Sequence, residues 1–208
     1  IEAKDGNVNE IEKLDGFLDY YGCLMVFADY KHVSNLDNLN EFLEEWGIRF
    51  TQNTYLVDYE HSTTTDGITI RAQYAEEGLA SSIYSDIINL DTKPTTLSRY
   101  CMPIEILWDE NEDNKGNRKV WSVLDSYDSA KSMRNGEEVA SGSESIMTLS
   151  REDRIINNQH YYSYVLACGS PSYTMGYAQS KAYSNNNILY SVMRATGRER
   201  IITDVTWK

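Results

Sequence analysis

Residues 23–47, CLMVFADYKHVSNLDNLNEFLEEWG, constrain the fold more than any other stretch. Residues 23–28 are a short, almost wholly apolar run, the pattern of a strand covered on both faces. Residues 29–35 are polar and turn-like. From Leu36 the period changes: Leu36, Leu39, Leu43 and Trp46 fall on one helical stripe. Asn38 and Glu41 have capping-box spacing, and Gly47 suits the left-handed residue that ends a helix. Residues 48–50 and 54–59 then return to extended chemistry. Strand, loop, helix and strand in this order predict a βαβ unit, and with it an α/β protein.

The remaining segments fit the same picture. Residues 8–20 carry Ile11, Leu14, Leu18 and Tyr21 on one stripe and predict a helix ahead of the first strand. Residues 61–66 form a polar loop, and 68–74 alternate as a half-exposed strand. Residues 79–89 predict a short helix. Strands are expected at 103–108 and 119–124, separated by the charged segment 109–118 with Lys115-Gly116-Asn117 as hairpin-turn chemistry. Residues 135–145 read as a loop by their Gly, Ser and Glu content, and 146–156 are open between strand and loop. A second buried strand is expected at 161–168, closing on Gly169-Ser170-Pro171. Helices are predicted at 173–182 and 187–196, and a last strand at 201–207. At 208 residues the chain suits one α/β domain, with a hairpin insertion over about 98–150.

Charge removes whole classes of function. The net charge of −13 excludes a phosphate-tracking nucleic-acid surface and disfavours docking on anionic lipid. No apolar run reaches the length of a membrane span, and no signal peptide is expected within this stretch. The first residue is Ile rather than Met, so a fragment of a longer protein is expected. Three cysteines cannot form a closed disulfide framework.

No residue pattern commits the chain to catalysis. Cys168 ends an apolar strand, but Leu166 stands where a G-x-C-x-G elbow needs its first glycine, and none of His32, His61 and His160 sits in a recognisable partner context. A buried, inert thiol is the expectation, with catalytic residues none. Residues 109–117, DENEDNKGN, alternate acids like a calcium loop, yet Asn114 and Val120 occupy the Gly and Glu places; a solvated hairpin tip is expected. There is no dinucleotide fingerprint, no P-loop and no zinc spacing, so no cofactor and no metal are expected. Asp29, Asp58 and Ser170 follow or end three apolar strand candidates and could share the strand-end edge where open α/β sheets bind ligands. Loop capping is the plainer role for all three. The 16 tyrosines either fill sheet surfaces or, if clustered at the surface, offer stacking faces for sugars.

One stretch also carries a family resemblance. A hydrophobic strand ending in Ala28-Asp29, then Asn38-Leu39-Asn40-Glu41-Phe42-Leu43-Glu44-Glu45-Trp46-Gly47-Ile48, then a strand ending in Val57-Asp58, resembles the soluble domain of GldG-type proteins. These are auxiliary components of an uncharacterised class of ABC transport system, named after a gliding-motility protein. The likeness continues weakly through 121–130, 164–170 and 185–202. Taken with the patterning, it implies a three-layer, mostly parallel sheet with helices on both faces, Rossmann-like or flavodoxin-like, in the manner of class I glutamine amidotransferases. It further implies a non-catalytic extracytoplasmic domain, anchored in a bacterial membrane by segments outside this chain. Its partners would be the transporter's membrane and ATPase subunits, and its role scaffolding or ligand presentation. A small-molecule or carbohydrate-binding module using the strand-end cleft is the alternative, and a degenerate amidotransferase-like hydrolase using Cys168 a third.

Overall fold

The computed structural model describes residues 8–33, 35–90, 94–108 and 116–197. In chain order the elements are α1 (Val8–Asp19), β1 (Cys23–Phe27), α2 (Asp37–Glu44), β2 (Ile48–Phe50), β3 (Thr54–Val57), β4 (Thr69–Arg71), β5 (Gln73–Tyr74), α3 (Gly78–Ile88), β6 (Leu97–Arg99), β7 (Ile104–Ile106), β8 (Arg118–Asp125), β9 (Lys131–Arg134), β10 (Glu137–Ser141), β11 (Ser145–Ile156), β12 (Gln159–Cys168) and α4 (Asn185–Thr196). Two 3₁₀ turns, Pro171–Tyr173 and Gly176–Gln179, lie between β12 and α4.

The main sheet has seven strands. Its spine runs β1-β12-β11-β7-β2, with β8 also on β11 and β5 on β8. Only β1 and β12 pair in parallel, Phe27 opposite Cys168. The pairings of β11 with β12, of β8 and β7 with β11, and of β2 with β7 are antiparallel. A three-stranded antiparallel sheet, β10-β9-β3, and a two-stranded one, β4-β6, complete the β structure.

This overturns the expected α/β architecture. The protein is mostly β, with mixed and antiparallel sheets, and is not a parallel three-layer Rossmann-like or flavodoxin-like fold. The βαβ unit fails on direction and place. Following the pairings across the sheet, β2 runs opposite to β1 and sits at the far end of the spine. Among the described residues β1 is an edge strand, not a central one. The apolar runs misled for a physical reason. Leu24, Val26, Ala28, Val165 and Ala167 face one core with α1 and α2, while Phe27, Leu166 and Cys168 face a second core with α3 and α4. Cover on both faces makes a strand continuously apolar whatever the direction of its neighbours.

Local readings diverge in similar ways. Helix α2 starts before Asn38, and Asn35 Oδ1 accepts the Asp37 amide at 3.0 Å, so Asn38 lies inside the first turn rather than at the cap. Gly47 does adopt the left-handed conformation, with φ 77°. The expected loop at 135–145 contains β10, whose five residues are all exposed. The expected helix at 173–182 is a pair of 3₁₀ turns. The last strand at 201–207 and most of the charged segment 109–118 lie outside the described residues.

Candidate functional site

The three strand-end candidates do not converge. Register places Asp29 and Ser170 at the same end of the β1–β12 pair. Asp29 closes a turn, its carboxylate accepting the Lys31 amide at 3.0 Å and lying 2.6 Å from His32 Nδ1. Ser170 is buried, with Oγ 3.0 Å from the Arg99 carbonyl and 2.9 Å from Ser172 Oγ. Asp58 follows β3, which belongs to another sheet. Among the described residues no hydrogen bond or ion pair joins the three.

Asp58 nevertheless leads to a site. Its carboxylate is 1% exposed, and Oδ1 accepts the Glu60 and His61 amides, each at 2.9 Å. Oδ2 accepts the Ser129 hydroxyl at 2.9 Å and lies 3.3 Å from His61 Nδ1. The His61 ring lies flat on Tyr127, centroids 3.7 Å apart and planes 7° apart. Tyr127 forms one wall of a cleft of about 400 Å³, which Arg71, Tyr74, Glu76, Tyr84 and Thr95 also line. Such a volume falls in the range of small-molecule sites.

Each wall has a local reason. Strand β5 is too short to stand alone and leans on β8, Tyr74 opposite Leu124. Gln73 reinforces it, its Nε2 donating to the Ser126 carbonyl at 2.7 Å. Helix α3 brings Tyr84 against Tyr74, with centroids 5.0 Å apart. The Tyr74 hydroxyl is buried without a hydrogen-bond partner among the described residues, and burial, then the neighbouring Tyr84, push its ionisation well above the ordinary tyrosine range. The cleft therefore offers three phenol rings, one guanidinium and one carboxylate of opposite sign. Of these residues the sequence singles out only Asp58, which does not itself line the cleft. The alternation over 68–74 marks Ile68, Ile70 and Ala72 as buried, and Arg71 falls between them, yet nothing local ties Tyr84 or Tyr127 to that strand.

Other features carry less. A larger groove of about 670 Å³ runs along β1 between α1 and α4, but its walls, among them Leu14, Phe17, Met25 and Met193, are mostly apolar. Tyr30, Tyr55 and Tyr100 pack on one another at 4.8–6.4 Å, and the Lys31 ammonium occupies a face of Tyr100 at 3.9 Å. Among the described residues no group of three or more His, Cys, Asp and Glu could hold a metal ion. The 109–117 acidic run lies almost entirely outside them.

Cys168 is fully buried, its thiol donating to the Ser170 carbonyl at 3.3 Å and pushed up to about 12 by burial. Cys168 itself is still paired in the sheet, opposite Phe27 and Met147, and the bend comes one residue later at Gly169, whose amide donates to Ile146 and whose carbonyl accepts from Met102. A Cβ at Gly169 would sit 1.8 Å from the Met102 carbonyl oxygen, so close backbone approach requires this glycine. Iodoacetamide mapping of the folded chain is expected to label Cys23, which is half-buried, ahead of Cys101 and Cys168. Fast native labelling at Cys168 would contradict its burial.

No family model matches the chain, and no curated protein matches it. A solved structure titled "mmIFT52 N-terminal domain" is similar to it, with a TM-score of 0.61 over 95% of this chain and 75% of that one. Identity is 15%. The likeness shows the fold alone. It says nothing of an ABC transport system.

Proposed function

We propose that this domain is a non-enzymatic ligand-presenting module whose cleft takes a small, neutral, hydroxyl-rich molecule of the saccharide class. The observation that carries the reading is the convergence of Tyr74, Tyr84 and Tyr127 with Arg71 and Glu76 in one cleft. Phenol rings stack on the C–H faces of a sugar ring. A guanidinium and a carboxylate together hydrogen-bond several hydroxyls while leaving the lining without excess charge, and a chain of net charge −13 repels an anion. Rings held by packing against β8, α3 and His61 lose little freedom on binding, which favours affinity.

The GldG-type resemblance supplies the setting of the proposal: a domain that holds its ligand on the outer face of a bacterial membrane, beside the membrane and ATPase subunits of an ABC transporter. The buried, hydrogen-bonded thiol of Cys168 supports a non-catalytic role over the hydrolase alternative.

Calorimetric titration with maltose, cellobiose and chitobiose, alongside glucose 6-phosphate, tests the reading. Saturable binding of a neutral sugar is expected, with Tyr84→Ala and Tyr127→Ala each weakening it about tenfold through lost stacking. Binding confined to the phosphorylated sugar, or unchanged in both variants, would refute it.

A further inference from the structure

We infer that His61 is a further ligand-contacting residue of this cleft, its Nε2 accepting a hydrogen bond from a hydroxyl of the bound molecule; the inference rests on the cleft's being a binding site. Two independent contacts set His61 beside Tyr127 and Arg71, which line the cleft, although His61 is not itself among the lining residues. Its ring lies flat on Tyr127, which lines the cleft. Its carbonyl accepts the Arg71 amide at 2.7 Å, beside the antiparallel bridge of Ser62 and Ile70. Residues opposite each other across such a bridge project to the same face, so His61 and Arg71 stand side by side.

Hydrogen-bond bookkeeping shows which ring nitrogen can accept when the ring is neutral. Ser129 has one hydroxyl hydrogen, and it goes to Asp58 Oδ2 at 2.9 Å. Toward His61 the Ser129 oxygen can then only accept, so Nδ1, 2.9 Å away, must carry a hydrogen. The second neighbour of Nδ1 is again Asp58 Oδ2, at 3.3 Å, a carboxylate oxygen that can only accept. The reverse tautomer would set the Nδ1 lone pair against that carboxylate. A neutral ring protonated at Nδ1 bears its lone pair at Nε2, which no hydrogen bond from the described residues reaches. The side chain as a whole is 34% exposed. Asp58 is thus a positioning residue: buried and multiply bonded, it fixes the tautomer while touching nothing in the cleft.

The cleft then combines complementary groups. Arg71 only donates, Glu76 when ionised only accepts, and His61 adds an acceptor without charge beside the Tyr127 face. Vicinal hydroxyls, each able to donate and accept, match this set.

Long-range ¹H–¹⁵N spectra of the 208-residue chain at neutral pH test the assignment. The free protein is expected to show a protonated Nδ1 and an unprotonated Nε2 at His61, and saturation with maltose or cellobiose to move the Nε2 signal. His61→Phe keeps a flat ring over Tyr127 but removes the acceptor, and is expected to weaken binding about tenfold. Asp58→Asn is expected to move the tautomer toward Nε2–H and to lower affinity in parallel. A protonated Nε2 in the free wild-type protein overturns the inference. So does an Nε2 signal that stays fixed while the Tyr84 and Tyr127 signals move, an outcome that leaves the binding cleft standing. Sugars that move none of these signals remove the cleft reading and this inference together.

Discussion

Trp46→Ala is expected to lower the unfolding free energy by about 3–5 kcal/mol, the usual cost of truncating a large aromatic in a core. Trp46 is 1% exposed and follows α2 on the same stripe as Leu36, Leu39 and Leu43, all buried. It joins the core formed by Leu24, Val26, Val165 and Ala167 beneath that helix. The Arg118 guanidinium lies over the ring, 4.6 Å from its centroid, and the Trp46 carbonyl accepts the Ser150 hydroxyl at 2.8 Å. Alanine keeps the backbone bond and loses the rest. The buried indole Nε1 has no partner among the described residues, so Trp46→Phe removes an unsatisfied donor along with part of the ring and is expected to cost far less than alanine. Urea unfolding followed by circular dichroism measures both. An alanine variant as stable as the parent would contradict this packing.

Asn185→Ala is the second large effect. The side chain is fully buried at the start of α4 and stands in for a strand. Its Oδ1 accepts the Leu97 amide at 2.9 Å, while Nδ2 donates to the carbonyls of Leu97 at 2.8 Å and Ser172 at 3.0 Å. One residue thereby ties α4 to β6 and to the 3₁₀ turn after β12. Alanine would strand these buried backbone groups, and at about 1–3 kcal/mol for each unsatisfied group the expected loss is about 3 kcal/mol or more. Asn185→Asp keeps the acceptor but loses the donor and buries a charge, so it should be no better tolerated. A urea midpoint within error of the wild type would mean that other partners replace all three bonds.

What the sequence revealed and hid follows from which interactions are local. Burial was legible: the apolar residues of 23–28 and 161–168 form the inner walls of both cores, and the Leu36–Trp46 stripe faces inward. Strand direction was not, because two-sided cover leaves the same pattern in parallel and antiparallel strands. Two hairpins had local signals that composition obscured. Asn135-Gly136, with φ 53° and 84°, turns β9 into β10, but β10 is wholly exposed and shows no apolar alternation. Asn157-Asn158, with φ 52° and 62°, turns β11 into β12 and resolves the open reading of 146–156 as a strand. Asp58 was recognisable as a strand-end acid. Its partners were not, since Ser129 lies 71 residues away, and Tyr84 and Tyr127 come to the cleft from separate elements.

Aromatic NMR signals of Tyr74, Tyr84 and Tyr127, followed as a neutral disaccharide is titrated into the chain, report on the cleft most directly. Saturable shifts of these three, with Tyr30, Tyr55 and Tyr100 unmoved, are the predicted result. Shifts confined to the Tyr30–Tyr55–Tyr100 group, or none at any of the six rings up to millimolar sugar, would contradict a saccharide site in this cleft.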